Sequence, residues 1–197
     1  MQRRTLAQAR LALARHEPRN LALVRGPVKQ AAVAAVLRQE QELQVLMIRR
    51  AEHPKDPWSG HMAFPGGRVD PTDVGPLSAA RRETKEEIDL DLERDGALLG
   101  PLSPVPAVAH GRKLPMVIVP YAFELQGDPE LTPDTREVQE TVWVPLSFLA
   151  DDSNRQSLTR KVAGVPLQLP CYHFEGRVIW GLTLRMLDEL VKVLMKP

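Results

Sequence analysis

The sequence predicts an α/β fold in which a mixed β-sheet is sandwiched between α-helices. Short apolar runs lie before and after one central helical segment, turn formers separate them, and a long amphipathic stretch closes the chain. Strands on both sides of a helix, followed by a terminal helix, bury a sheet most simply as the middle layer. The 197 residues suit one domain, 1–197, long enough to bury a core without metal or disulfide staples.

The opening stretch "MQRRTLAQARLALARHEPRN" is Arg-rich and free of acids until Glu17. An organellar transit peptide reads that way, but Leu6, Leu13 and the alanines among them describe a short amphipathic helix packed on the domain, so residues 1–25 read as a helical extension. "VKQAAVAAVLR" and "LQVLMIRR", separated by polar "QEQE", predict a hairpin over 28–37 and 43–50. "AEHPKDPWSGHM" has two prolines, a glycine and Trp58, and is a lid or a binding loop. "MAFPGGRV" predicts a brief strand broken by Gly66 and Gly67, followed by polar "DPTD" and a helix over Pro76–Ile88, whose proline suits the first helical position. "ALLGPLSPVPAVA" and "LPMVIVPYAFEL" predict strands joined by a loop, "HGRK", and "EVQETVWVPL" a strand running into a short helix at Leu146–Ala150. In "VIWGLTLRMLDELVKVLM" apolar residues recur at three and four, which predicts a helix over 180–196.

Lysine and arginine number 26 against 25 acids, a net charge of +1. That balance makes no electrostatic case for a nucleic-acid or membrane partner, while a local basic patch would still suit a small phosphorylated ligand. The single cysteine, Cys171, has no internal partner, and no apolar run approaches the roughly 20 residues of a membrane span, so a reducing, cytoplasmic setting is expected. His53, His61 and His110 lack metal-ligand spacing, and Ser59 with Gly60 lacks a nucleophile-elbow pattern. "PGGRVD" lacks the lysine and hydroxyl pair of a phosphate-binding P-loop.

The central helix carries the chemistry. Glu83 and Glu87 are four apart and Glu86 is three from Glu83, so all three carboxylates project within one sector. On the surface such a face is merely solvated. Partly shielded, two charges about 6 Å apart at an effective dielectric near 20 repel by roughly 3 kcal/mol, a cost that a bound divalent cation reverses. Hard oxygen ligands suit Mg²⁺ or Mn²⁺. Arg82, four before Glu86, is placed to lock one carboxylate, and the preceding "FPGG" lets the backbone turn sharply and bring a glycine carbonyl to whatever the carboxylates bind.

Residues 64–90, "FPGGRVDPTDVGPLSAARRETKEEIDL", resemble the Nudix box. In that pattern a glycine is followed by five residues and Glu, then seven residues and Arg-Glu, an apolar residue, any residue, Glu-Glu, any residue, Gly and an apolar residue. Arg82, Glu83, Glu86 and Glu87 match its centre, Leu90 its end, and Gly67 its start if one extra residue precedes Arg82. Asp73 stands for the first Glu, Thr84 for the apolar residue, and Asp89 for the closing glycine. The extra residue, with "LMIRRA", Lys55 and "GHMAFPGG" upstream, is similar to the coenzyme A pyrophosphatase branch, with Ile48 for a threonine, lysine for arginine and one added residue before Gly60.

The resemblance implies a Nudix fold and a metal-dependent diphosphohydrolase splitting coenzyme A or acyl-coenzyme A into 3′,5′-ADP and (acyl-)4′-phosphopantetheine. Its metal ligands would be Glu83, Glu86 and Glu87; its catalytic set would comprise Glu83, Glu86, Arg82 to orient the carboxylates, and Glu137 as base ahead of Asp134 and Glu140. Arg50, Lys55, Arg68, Gly66 and Gly67 would bind substrate, the cations answering the 3′-phosphate, and Trp58 would stack on adenine or anchor the loop. Arg112 and Lys113 are expected to be surface residues. The implied partner is a small coenzyme A-like nucleotide, with a homodimer suggested by the family. The rivals are a hydrolase of another nucleoside diphosphate derivative, such as ADP-ribose or a nucleotide sugar, and a non-catalytic nucleotide-binding module.

Overall fold

A computed structural model describes residues 5–19, 28–54, 56, 58–109, 112–162 and 165–195. Lys55, His110 and the outer parts of the expected extension, 1–4 and 20–25, lie outside the described residues, as does position 196. Helix α1 (Leu6–Ala14) starts at a capping box: the Thr5 hydroxyl accepts from the Gln8 amide at 3.4 Å, and the Gln8 side chain accepts from the Thr5 amide at 3.0 Å.

Strands β1 (Lys29–Gln39) and β2 (Leu43–Arg50) form the expected hairpin, β1 running slightly further than predicted. Then come β3 (Met62–Ala63), β4 (Gly66–Arg68), α2 (Pro76–Ile88), β5 (Gly96–Pro101), β6 (Val105–Ala109), β7 (Arg112–Leu125), β8 (Val138–Pro145) and α3 (Leu146–Ala150). The main sheet runs β3-β2-β1-β7-β5, with β4 also on β1, β6 on β7 and β8 on β2. β1 and β7 are parallel from Lys29 opposite Met116 to Leu37 opposite Glu124, and the other pairs are antiparallel, which makes the sheet mixed.

The alternation along β1 explains the layers. Val33, Ala35 and Leu37 pack into a core with Leu13 of α1 and with Leu187 and Leu190 of the last helix, α4 (Gly181–Met195). Ala34 and Val36 face the other way, with Ile88 at the end of α2. Ala32 meets Ala79 and Ala80, three small side chains that let α2 lie close on the sheet. The sheet is thus sandwiched between α2 on one face and α1 with α4 on the other, as expected.

Three placements differ from expectation. Arg112 and Lys113 belong to β7 rather than to a loop. Trp180 is not helical: β11 (Arg177–Trp180) ends a second sheet, β11-β10-β9, built with β9 (Arg155–Val162) and β10 (Val165–Phe174). Helix α4 therefore starts only at Gly181, whose φ of +68° makes the turn out of the strand.

Candidate active site

Helix α2 starts with Pro76 at its first turn and ends at Asp89, whose left-handed φ of 55° lets its amide reach the Lys85 carbonyl at 2.9 Å. Aspartate tolerates that conformation better than most side chains, which accommodates the missing glycine. Thr84, at the position of an apolar residue, is fully buried and donates its hydroxyl to the Ala80 carbonyl at 2.7 Å. Asp73 accepts from Arg82 Nε at 3.2 Å and Nη2 at 3.0 Å, and that pairing holds its carboxyl below the usual range.

Arg82 is the hub of the helix face. Besides Asp73, its guanidinium meets Glu83 at 3.0 Å and Glu86 at 2.9 Å and donates to the Arg68 carbonyl at 3.1 Å. Its side-chain bond to Asp73 raises its pKa further. The arginine thus ties the loop after β4 to two of the three carboxylates.

Glu87 has only 2% of its side chain exposed. Its Oε2 accepts from the Gly66 amide at 2.8 Å, and Arg50 Nη1 lies 3.8 Å from Oε1. Burial outweighs both contacts and raises its pKa to about 8, with the charges of Glu83 and Glu137 adding to the rise. Glu83 is also raised, chiefly by burial, against the opposing pull of Arg82. Glu86, 58% exposed, is the outermost of the three. Gly66 thus touches the helix through its N–H, which holds the Glu87 carboxylate.

The two glycines are required by close approach. Gly66 has a φ of +140°, and a Cβ there would lie 2.2 Å from the Ala32 carbonyl oxygen. A Cβ on Gly67 would lie 2.4 Å from the Glu83 carboxylate. One glycine lets β4 pack on β1, and the other leaves room for an acid.

A segment after β7 closes the site. The amides of Thr132 and Asp134 donate to the carbonyls of Ile88 and Glu87 at 3.0 and 2.8 Å, satisfying acceptors that the end of α2 leaves open. The Glu137 carbonyl accepts from Ala51 at 2.8 Å, which stitches this segment to the loop after β2. Glu137 lines the same cavity of about 720 Å³ as Glu83, Glu86 and Glu87, whereas Asp134 and Glu140 do not. Glu140 is held by Arg177 at 2.6 Å, and Asp134 by Arg136, which draws its pKa down to about 2.

Arg50 and Arg68 also line the cavity. Arg50 is committed to Asp56, which accepts from its Nε at 2.9 Å and from the Trp58 amide at 3.0 Å. Arg68 is exposed and makes no ion pair among the described residues. Trp58 lines the cavity and packs against the core, so it anchors its loop while facing the site. Asp56, His61 and Trp180 line the cavity without having been singled out for it; the one sequence signal for Asp56 is Arg50, six residues before it.

The donor chemistry suits a hard divalent cation. Among the described residues no three His, Cys, Asp or Glu side chains enclose an ion by themselves. Glu83 and Glu87 nonetheless present desolvated carboxylates to one cavity, and Mg²⁺ commonly takes one or two carboxylates and completes its shell with water and substrate phosphate.

The fold and site define an α/β protein whose acidic helix closes on a glycine turn beneath a nucleotide-sized cavity. The chain belongs to the Nudix hydrolase family: the NUDIX domain matches residues 28–162. The uncharacterized Nudix hydrolase NudL of Yersinia pestis is 30% identical over 165 residues, spanning 83% of this chain and 79% of that one. An uncharacterized protein of Schizosaccharomyces pombe is 36% identical over 107 residues, 53% of this chain, and the match spans only 32% of that protein's length. A Caenorhabditis elegans Ap4A hydrolase structure shares the fold at a TM-score of 0.52 and 22% identity, covering 62% of this chain and 83% of that chain. A MutT/nudix family protein from Enterococcus faecalis does so at 0.51 and 17%, covering 98% and 74%.

Proposed function

We propose that this Nudix hydrolase is a divalent-cation-dependent diphosphatase that cleaves coenzyme A or acyl-coenzyme A to 3′,5′-ADP and (acyl-)4′-phosphopantetheine. The observation that carries the metal-dependent reading is Glu87, a carboxylate 2% exposed beside a second desolvated carboxylate, Glu83. Such a pair is unfavourable alone and is stabilised by a cation. Glu83, Glu87 and the outer Glu86 would hold Mg²⁺ or Mn²⁺. A bound cation neutralises diphosphate oxygens and acidifies water.

The chain's own residues do the rest. Arg82, fixed by Asp73, orients Glu83 and Glu86. Glu137, the one of the three downstream acids that lines the cavity, takes the proton shed by the attacking water. Gly66 and Gly67 let the backbone approach the diphosphate. Arg68, with Lys55 and Arg50, supplies cations to the phosphates, Arg50 after exchanging part of its pairing with Asp56. The coenzyme A assignment rests on the "LMIRRA" to "FPGG" pattern and the added residue before Arg82. Residues 1–197 act as one domain in this reading.

The test is turnover with Mg²⁺ or Mn²⁺ of a panel containing coenzyme A, acetyl-coenzyme A, ADP-ribose, nucleotide sugars and nucleoside triphosphates, with products identified. Release of 3′,5′-ADP from coenzyme A as the preferred reaction is expected. Clear preference for another nucleotide would replace the substrate, and no turnover of any would favour a binding module.

A further inference from the structure

The second sheet has two unlike faces. Its register opposes Leu169 to Leu158, Leu167 to Arg160 and Cys171 to Trp180, so Leu158, Arg160, Leu167, Leu169 and Trp180 share one face. Ser157, Thr159 and Gln168 share the other, where the Gln168 amide donates to the Thr159 hydroxyl at 2.9 Å. Towards the tip the apolar face is open, with Leu167 42% and Val165 57% exposed.

That face continues the wall of the candidate active site. Trp180 lines the cavity, its ring centroid lies 4.9 Å from that of His61, and the Arg160 guanidinium sits 4.9 Å above it. Within the cavity Glu83, Glu86 and Glu87 come from α2, while Met116 of β7 and Leu182 and Met186 of α4 contribute apolar surface. From Cys171 to Val165 the ribbon extends this surface by roughly 20 Å at a strand's rise per residue. A coenzyme A-like substrate whose diphosphate sits at the carboxylates and whose non-nucleotide group points towards Trp180 would lay that group along this surface. Beyond Arg160 and Trp180, the exposed Val165 and Leu167 offer a polar nucleoside no hydrogen bonds, whereas an extended alkyl chain is buried favourably there.

We propose that this face of the ribbon is a subsite for the acyl chain of an acyl-coenzyme A, with Leu158 and Leu167 setting chain-length preference; the proposal rests on the coenzyme A reading above. Binding energy from this remote group raises kcat/KM without touching the reacting phosphorus.

The experiment compares kcat/KM for free coenzyme A and a series of saturated acyl-coenzyme A esters in the wild-type chain and in the Leu158→Ser/Leu167→Ser variant. In the wild type kcat/KM is expected to rise by roughly two- to fourfold per added methylene over part of the series, the scale of burying one such group. In the variant the slope is expected to flatten while free coenzyme A is turned over as before. A flat wild-type series, or a variant that loses free and acylated substrates alike, overturns the subsite and leaves the coenzyme A reading standing. Absence of turnover for every coenzyme A species overturns both. Sedimentation of the two proteins supplies a last arm: a wild-type dimer that the substitutions dissociate, with chain-length dependence intact, assigns the face to a second copy of the chain instead.

Discussion

The Glu87 carboxylate lies against the Gly66 amide at 2.8 Å with its side chain 2% exposed, an acid buried where one backbone N–H is its nearest donor. Charge at that position costs folding energy and is useful only if something positive arrives. Replacing Glu87 by Gln keeps an acceptor for the Gly66 amide while removing the charge. Activity is expected to fall by at least about 10²-fold, the scale of losing one electrostatic stabiliser. The metal-free variant is expected to melt no lower than the wild type, and the rise in Tm on adding Mn²⁺ is expected to shrink. Scanning calorimetry with and without Mn²⁺ reads both, and an unchanged Mn²⁺ response would remove Glu87 from the metal site.

Gly66 and Gly67 are adjacent, yet alanine is expected to act on them differently. At Gly66 a Cβ would meet backbone, the Ala32 carbonyl oxygen, at 2.2 Å, and φ is +140°. Neither can relax cheaply, so Gly66→Ala is expected to cost several kcal/mol, about 3 or more, and to yield little folded protein. At Gly67 the Cβ would meet the end of a side chain, the Glu83 carboxylate, at 2.4 Å. Gly67→Ala is expected to fold within about 1 kcal/mol of the wild type and to lose activity by displacing Glu83. Urea denaturation beside steady-state kinetics separates the two; equal stability losses would contradict the geometry.

The sequence carried the site better than its surroundings. Helix α2 was legible to the residue because Pro76 starts it and a carboxylate pattern with helical spacing fills it. Glu137 and the glycines followed from the family pattern, and the cavity gathers them. The ribbon β9-β10 escaped notice for a physical reason. Val165, Leu167, Leu169 and Cys171 alternate as a strand would, but Pro166 and Pro170 fall between them and argue against a strand. Both prolines precede Cys171, the first residue of β10 in register with β11, so there β10 has a strand partner on one side only and proline is tolerated. Trp180 read as helix because its apolar neighbours continue the period of α4, and the break at Gly181 depends on a positive φ that periodicity does not report.

Asp73 takes the place of a glutamate in the family pattern and is nonetheless occupied by Arg82 through two hydrogen bonds at 3.2 and 3.0 Å. If its task is to hold Arg82, then Asp73→Ala is expected to lower kcat roughly tenfold with little change in KM, as the orientation of Glu83 and Glu86 loosens. Asp73→Glu is expected to recover part of the loss, because its carboxylate still reaches a guanidinium. A rise in KM alone would instead place Asp73 in substrate binding.

His61 connects the site to pH. It sits against Trp180, with Arg160, Arg50 and Asp56 as its charged neighbours. Burial lowers its pKa below 6.5, Arg160 and Arg50 add to the lowering, and Asp56 opposes it. The unfolded chain takes up this proton near pH 6.5 and the folded chain resists it, so the unfolded state binds more protons between the two pKa values. The stability contributed by neutral His61 is therefore full above about 6.5 and is lost as pH falls from there through the folded pKa, below which the loss is constant. With the ring only half buried, solvent screening keeps the total to less than about 1 kcal/mol. His61→Phe keeps a ring against Trp180 and removes the titration. Urea midpoints measured from pH 7.5 down to 5 are expected to drop further for the wild type than for this variant. Parallel curves would mean that His61 charges as easily in the folded protein as in the unfolded one.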